Sequence, residues 1–380
     1  MSTDSMHRSA ATVNPAWIEI DLSALAQNFR RVVSLVAPGV MSIASVKANA
    51  YGHGAVQCAE ALLDAGADML ATGDFDEALA MKAAGIDAPI LMFGGALPNG
   101  LLELSRSGLI PTVYDLAACQ TLHKAAKERV AVYVKVDCGL GRLGVPLSEA
   151  FEFIEKILSM ENLEVAGVYT HLPFSNAASM TRSEAGLATF DGLLTALSHA
   201  GINVPVSQGR ASAAVLKGLA DTSNAVCVGH LYYGLSPLAP GEANMDEFKP
   251  VMRAVRGRLI HVATHAAGAK VAIAGQYGLP NALCTGVVPM GMQQGMRPST
   301  PGVIASALIR GRRVPVLNVS LEHATLDLSA IETPRVGEVV TFVGECGGDR
   351  ITLDEIATWR DASALDVTMT FSGRLPQMPQ

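Results

Sequence analysis

Eight short apolar, β-branched segments between Met41 and Gly234, separated by stretches of helical periodicity, predict an α/β fold: a (β/α)8 barrel of TIM type. After Pro240 the alternation stops and strand-like segments follow one another without helices between them, which predicts a second, mainly antiparallel β-domain. A chain of 380 residues has room for both, since such a barrel takes about 250 residues. The expected boundaries are a loose tail over residues 1–14, a barrel over 15–243 and the β-domain over 244–380. An open, doubly wound sheet is the alternative reading of the same alternation.

In order, the barrel strands are expected at residues 41–47, 69–73, 89–94, 110–114, 130–136, 163–170, 204–209 and 225–231. Their near-continuous hydrophobicity suits strands covered by helices, because neither face meets water. Amphipathic stretches such as 55–65, 76–84 and 148–160 supply those helices. A helix starting near Ser23, with Asp21 or Ser23 as its N-cap, precedes the first strand. In the second domain, 303–309 is a short apolar run, 314–328 alternates, and 336–344 carries a Gly-Glu turn inside Val-rich sequence. One late helix is expected over 353–359, where Thr352 and Glu355 stand at capping-box spacing.

A hydrophobic content of 49% with 17% charged residues fits a compact enzyme. The net charge of −7 argues against a nucleic-acid partner, and the one small basic cluster, Arg310, Arg312 and Arg313, reads as a solvated strand end. Six cysteines (Cys58, Cys119, Cys138, Cys227, Cys284 and Cys346) include no Cys-x-x-Cys pair, so neither zinc nor a redox dithiol is suggested. They are expected as reduced thiols of a cytoplasmic protein. The first sixteen residues lack the apolar core of a signal peptide, and no uncharged run approaches the roughly 18 apolar residues of a membrane span.

The segment Val46-Lys47-Ala48-Asn49-Ala50-Tyr51-Gly52-His53-Gly54 ends an apolar run with one lysine and follows it with a glycine-spaced polar turn. That is how a Schiff-base lysine is presented. Desolvation at the end of a buried strand favours a neutral, nucleophilic amine, and glycines let backbone approach a bound group closely. In a (β/α)8 barrel the reactive groups belong at the carboxyl ends of the strands. The candidates fall there: Lys47 at the first, Lys135, Asp137 and Arg142 at the fifth, His171 at the sixth, Ser212 after the seventh, and Cys227, Gly229 and His230 at the eighth.

On these residues the chain resembles the alanine racemases, enzymes of pyridoxal 5'-phosphate, over nearly its whole length from Trp17 onward. The resemblance implies that Lys47 carries the cofactor and serves as a base, and that Tyr51 hydrogen-bonds the cofactor phosphate. Lys135-Val136-Asp137-Cys138-Gly139-Leu140-Gly141-Arg142 resembles the segment whose arginine contacts the cofactor's phenolic oxygen and the substrate carboxylate, and whose lysine can be carbamylated to hold that arginine. Arginine suits the task because its planar fork meets two oxygens at once. Tyr169-Thr170-His171 resembles the family's Tyr-Thr-His, whose histidine packs on the pyridine ring. Ser212 resembles the phosphate-binding serine, with Ser207 and Arg210 as neighbouring candidates. Val228-Gly229-His230, before Tyr233, resembles the turn whose backbone N–H groups meet the phosphate. The resemblance further implies an amino-acid substrate and a homodimer with shared active sites.

The departures bear on mechanism. Where the family has an arginine beside the pyridine nitrogen, this chain has Cys227, a weak donor or acceptor that cannot impose a protonation state as arginine does. The family's Gly-Tyr-Ala-Asp-Gly, which supplies the second acid/base across a dimer, reads Gly291-Met292-Gln293-Gln294-Gly295. Its Cys-Met-Asp turn reads Ser320-Leu321-Glu322, which puts Met292 and Leu321 at substrate-facing positions. The closing segment Gly373-Arg374-Leu375-Pro376 lacks the phosphate-contacting tyrosine. Two-base racemisation needs a proton acceptor on one face of Cα and a donor on the other. Met292 is neither, and His323, Glu322 and Tyr277 are the titratable groups nearest the altered turns. Amino-acid racemisation is therefore the first expectation. A lyase, aldolase or dehydratase acting on a β-hydroxy amino acid with one base is the alternative, and a non-catalytic cofactor-binding protein is the third.

Overall fold

The computed structural model describes residues 15–379 apart from 95, 174, 175, 240, 271, 274, 275, 278 and 372–374. The expected tail over 1–14, and Gly373 and Arg374 of the closing segment, lie outside the described residues. The chain divides into two compact units, one of residues 23–50 and 55–249, the other of 1–22, 51–54 and 250–380.

In the first unit eight parallel strands pair in sequence order: β1 (Met41–Ser45), β2 (Met69–Thr72), β3 (Ile90–Met92), β4 (Ile110–Val113), β5 (Val130–Asp137), β6 (Leu163–Tyr169), β7 (Val206–Arg210) and β8 (Ala225–Val228). Strand β8 pairs back onto β1, with Cys227 opposite Ile43, so the sheet is closed and the open doubly wound alternative falls. All eight expected strands are present. Several end sooner than expected, because the chain turns away into the loops that follow them. Helices such as Leu22–Ser34, Ala55–Asp64, Phe75–Ala83 and Leu147–Leu158 cover the sheet with apolar faces. The first begins one residue after Asp21.

Residues two apart on a strand share a face. Ile43, Met69, Leu91, Tyr133 and Ala225 form one buried interior cluster, together with Ala71 and Tyr169. Two residues further along each strand, on that same interior face, come Ser45, Phe93, Lys135 and Cys227. The lower layer is filled. Tyr133 lies opposite Gly167 on β6, and a Cβ added at Gly167 would stand 2.3 Å from its ring, so the ring occupies the space of a missing side chain. Its hydroxyl donates to Met69 Sδ at 3.7 Å.

The second unit is built on an antiparallel sheet. Strand Met252–Arg258 pairs with Ala16–Ile20 on one side and Val339–Cys346 on the other, and the sheet continues through Ser306–Ile309, Arg312–Val319, Ala324–Asp327, Leu283–Val288 and His261–His265. Ala16–Ile20 thus belongs with this unit, whereas the sequence assigns residues 15–22 to the barrel. Its burial explains why: Ile18 and Ile20 are fully buried in a strand paired some 240 residues away. Helix Leu353–Arg360 starts as its sequence predicts, with Thr352 Oγ1 accepting from Glu355 N at 3.1 Å. A second helix, Ala364–Phe371, was not expected.

Candidate active site

Lys47 stands just past β1. Val46 stays in the sheet, its N–H donating to Ala71 O at 2.9 Å, and the chain then reverses handedness. Ala48, Asn49, Ala50 and Tyr51 all lie at φ between 53° and 55°, a left-handed turn closed by Ala50 N donating to Val46 O at 2.8 Å. None of the four is glycine. Each such residue costs roughly 1–2 kcal/mol, with Asn the most tolerant type. The turn is tied at Asn49, whose N–H donates to Glu77 Oε1 and whose Oδ1 accepts from Ala55 N at 2.8 Å. The sequence predicts a polar turn here, but not its hand.

The strand ends bring basic groups together. Lys47 Nζ lies 5.7 Å from the centre of the Phe93 ring, and Lys135 Nζ lies 5.3 Å from that of Tyr169, whose hydroxyl reaches Thr112 Oγ1 at 3.1 Å. Burial first, then Arg142 and Lys47, lower the Lys135 ammonium to about 8, with Asp137 pulling the other way. Burial likewise drives His171 down to about 3, helped by Lys47, Arg142, Lys135 and His230. His230 falls to about 4 through burial and Lys47. Both imidazoles are therefore neutral at pH 7. Cys227 is pushed up to about 12 by burial, against the pull of Lys47 and Lys135, so it is a thiol.

Arg142 sits on an ordered loop. Asp137 Oδ1 accepts from the N–H groups of Gly139, Leu140 and Gly141 at 2.9, 2.9 and 3.1 Å, and Oδ2 accepts from Gly141 at 2.9 Å. Burial would raise that carboxyl, yet these donors and Lys135 hold it below the usual carboxylate value. The loop returns tightly at Gly144, where φ is +132° and a Cβ would stand 2.6 Å from Asp137 N.

Among the three phosphate-binding candidates near β7, the geometry separates one. Ser212 Oγ accepts from Gly229 N at 3.1 Å, which joins the two stretches expected to meet one anion. Ser207 is engaged with Asn224, accepting from its N–H at 3.2 Å, and Arg210 is paired with fully buried Asp221 at 2.6 Å. Tyr233 is buried and donates to Ser45 O at 3.1 Å, bracing the strand that leads to Lys47. Phe93 and Glu77 were not anticipated, and Tyr169 and Asn49 were expected only as members of their motifs, with no contact assigned to either; for Phe93 the one signal was its place on the interior face, two residues beyond Leu91.

Tyr51, Met292 and Leu321 belong to the second unit. Tyr51 is buried. Met292 opens a short turn knit to the neighbouring one by backbone bonds, Met292 N to Ser320 O at 2.9 Å and Gln293 N to Leu321 O at 2.8 Å. These turns wall an open cavity of about 1100 Å³ that Glu322 and His323 also line, and Leu321 is 71% exposed beside it. The side chain of Tyr277 lies outside the described residues.

Residues 20–237 match the family of the alanine racemase N-terminal domain, and residues 251–379 that of the alanine racemase C-terminal domain. The alanine racemase of Methanococcus maripaludis is 30% identical over 370 residues, covering 96% of this chain and 98% of its own. That of a Nostoc species is 33% identical over 370 residues, covering 96% and 95%. Among solved structures, the alanine racemase of E. faecalis superposes with a TM-score of 0.86 at 28% identity, covering 97% of this chain and 98% of that one. The Bacillus anthracis enzyme with bound L-Ala-P gives 0.85 at 27% identity, covering 97% and 95%.

Proposed function

Because the chain belongs to the alanine racemase family, we propose that it is a pyridoxal 5'-phosphate-dependent amino-acid racemase in which Lys47 is the cofactor lysine and the base on one face of Cα. The observation that carries this reading is the cluster of Lys47, Lys135, Arg142, His171 and His230 at the strand ends, each bearing electrostatically on others, with the Asp137 carboxylate beside Lys135. Such a site attracts an anion with a phosphate and a carboxylate to place.

The residues present fit the cofactor. The Ser212 hydroxyl, which accepts from Gly229 N, keeps its own proton to donate to a phosphate, and buried Ser45 Oγ, on the interior face next to Lys47, has no hydrogen-bond partner among the described residues. Pyridoxal phosphate, when bound, supplies an electron sink for the pair left on Cα. Lys47 Nζ would move the α-proton on one face of Cα only, and inversion needs a proton delivered to the other face, for which His323 and Glu322 are the titratable groups nearest the altered turns. Arg142 holds the substrate carboxylate, and neutral His171 offers a flat face without adding charge. Cys227, a neutral thiol, would leave a neighbouring ring nitrogen's protonation less constrained than an arginine would.

The protein works as a cytoplasmic homodimer in this reading, the turns at Met292 and Leu321 of one copy serving the site of the other. Among its described residues no helix is long and apolar enough to cross a membrane. Met292 favours a second reading, a lyase, aldolase or dehydratase acting on a β-hydroxy amino acid, since one base suffices there. Incubation with single-enantiomer alanine and serine in deuterium oxide separates the two: inversion supports the racemase, and carbonyl products support the lyase. A purified protein that shows no visible cofactor band, or keeps it after Lys47→Ala, defeats both.

A further inference from the structure

Among the described residues, Ala48 to Tyr51 form the longest run of non-glycine residues at positive φ, and the run begins at the residue after Lys47. Backbone held in so sparsely populated a region persists only where its surroundings over-determine it. A helical turn of either hand also leaves its first N–H groups without partners inside the turn. Here the Asn49 N–H is met from outside, by Glu77 Oε1. The other oxygen, Glu77 Oε2, accepts from Thr72 Oγ1 at 2.9 Å, and Thr72 is the fully buried last residue of β2, the strand beside β1. Glu77 is itself fixed in the first turn of helix Phe75–Ala83, its N–H donating to Asp74 Oδ1 at 3.0 Å.

We propose that Glu77 is a positioning residue: its carboxylate ties the left-handed turn behind Lys47 to the end of the neighbouring strand, and so fixes where the amine stands at the barrel mouth. The inference deepens the reading of Lys47 as the cofactor lysine and rests on it. Glu77 acts through the backbone of Asn49, two residues from the lysine. Asn49 completes the tie by capping Ala55, the first residue of the next helix, at 2.8 Å. A carboxylate suits this place because it accepts from a backbone N–H and a hydroxyl at once, with charge-assisted bonds.

The test compares wild type with Glu77→Ala, Glu77→Gln and Thr72→Val. In cofactor-free protein, amide hydrogen exchange over residues 46–55 is expected to rise about tenfold or more in Glu77→Ala, the size of losing one hydrogen bond to a charged group. Residues 130–137 should not change. Glu77→Gln keeps an acceptor oxygen and should fall closer to wild type, and Thr72→Val should shift exchange in the same direction as Glu77→Ala by less. With pyridoxal phosphate added, Glu77→Ala should bind it about tenfold more weakly and lose kcat, while KM for the amino acid, set by Arg142, stays within about twofold. Unchanged exchange over 46–55 overturns the proposal. So does a variant that melts lower but binds the cofactor and turns over as wild type does, which would mark a merely structural role. If Glu77→Ala does not fold, Thr72→Val decides, and wild-type exchange there overturns the proposal. A wild-type protein that binds no pyridoxal phosphate would defeat the cofactor reading while leaving the exchange comparison to decide the tie.

Discussion

The barrel mouth and the paired turns of the β-domain keep different things. At the mouth, backbone and side chains serve the same end: period-two alternation puts Lys135 and Cys227 on the interior face, and the loop capped by Asp137 presents Arg142. In the β-domain it is the backbone that packing constrains, and the side chain between the glycines is left open. A Cβ at Gly291 would stand 2.4 Å from the Glu322 backbone, and one at Gly295, where φ is +96°, would stand 2.1 Å from Thr370 O. Packing thus requires both glycines. Residue 292 between them contributes its N–H to Ser320 O, which any residue but proline can do. The Gly-x-x-x-Gly spacing at 291–295 therefore reports a steric frame, and says little about proton chemistry at the residues between.

Removing the base from the barrel side should have the largest effect. Lys47→Ala is expected to lower turnover by roughly 10²–10⁴-fold, the range of a positioned acid–base group, and to abolish the visible cofactor band. Retained activity would show that the mouth does not hold the essential base. Met292→Tyr probes the frame. If it still presents its residue to a reacting centre, racemisation should rise by up to about 10²-fold, measured as the rate of inversion of a single enantiomer. An unchanged rate would assign the native reaction to one base. Gly295→Ala should lower stability by about 2–3 kcal/mol in denaturant titration, whereas Met292→Ala should cost under about 1 kcal/mol. Equal costs would break the distinction between frame and displayed side chain.

A separate effect is in pH. His171 and His230 are both held below their ordinary value of 6.5, to about 3 and about 4, so the unfolded chain takes up their protons first as pH falls. Stability of the cofactor-free protein should decline from about pH 6.5, level off for His230 near 4 and for His171 near 3, and be insensitive to either group above 6.5. Replacing His171 with Gln should flatten that decline, as read from midpoints of thermal unfolding across the range.

The barrel was legible because each strand is apolar on both faces and each helix on one, and because lysine, arginine and histidine are conspicuous where such strands end. Strand ends were less so. The last strand stops at Val228, since Gly229 at ψ −81° leads into a short 3-10 helix over His230–Tyr233, yet Leu231 and Tyr232 are as apolar as the strand before them. Ala16–Ile20 was missed because its partners lie beyond residue 250, a pairing that no local pattern announces. The hand of the turn at Ala48 to Tyr51 was hidden for the opposite reason: alanine favours a right-handed helix, and tertiary ties such as Glu77 override that preference. Arg210 looked like an anion ligand, and only the fold reveals that Asp221 claims it.

The Tyr133 ring, standing where Gly167 has no side chain, makes the barrel a vessel with a stopper at its base. Ile43, Met69 and Leu91 pack the same level. With that level filled, water would reach Lys47 and Lys135 from the carboxyl ends of the strands, and isotope leaving a substrate and isotope entering from solvent would share one doorway. The fraction of label that returns to carbon then measures how long that doorway stays shut after each proton transfer. Unstopping the base, as in Tyr133→Ala, would add a drain: washout should rise relative to inversion even with every group at the mouth untouched.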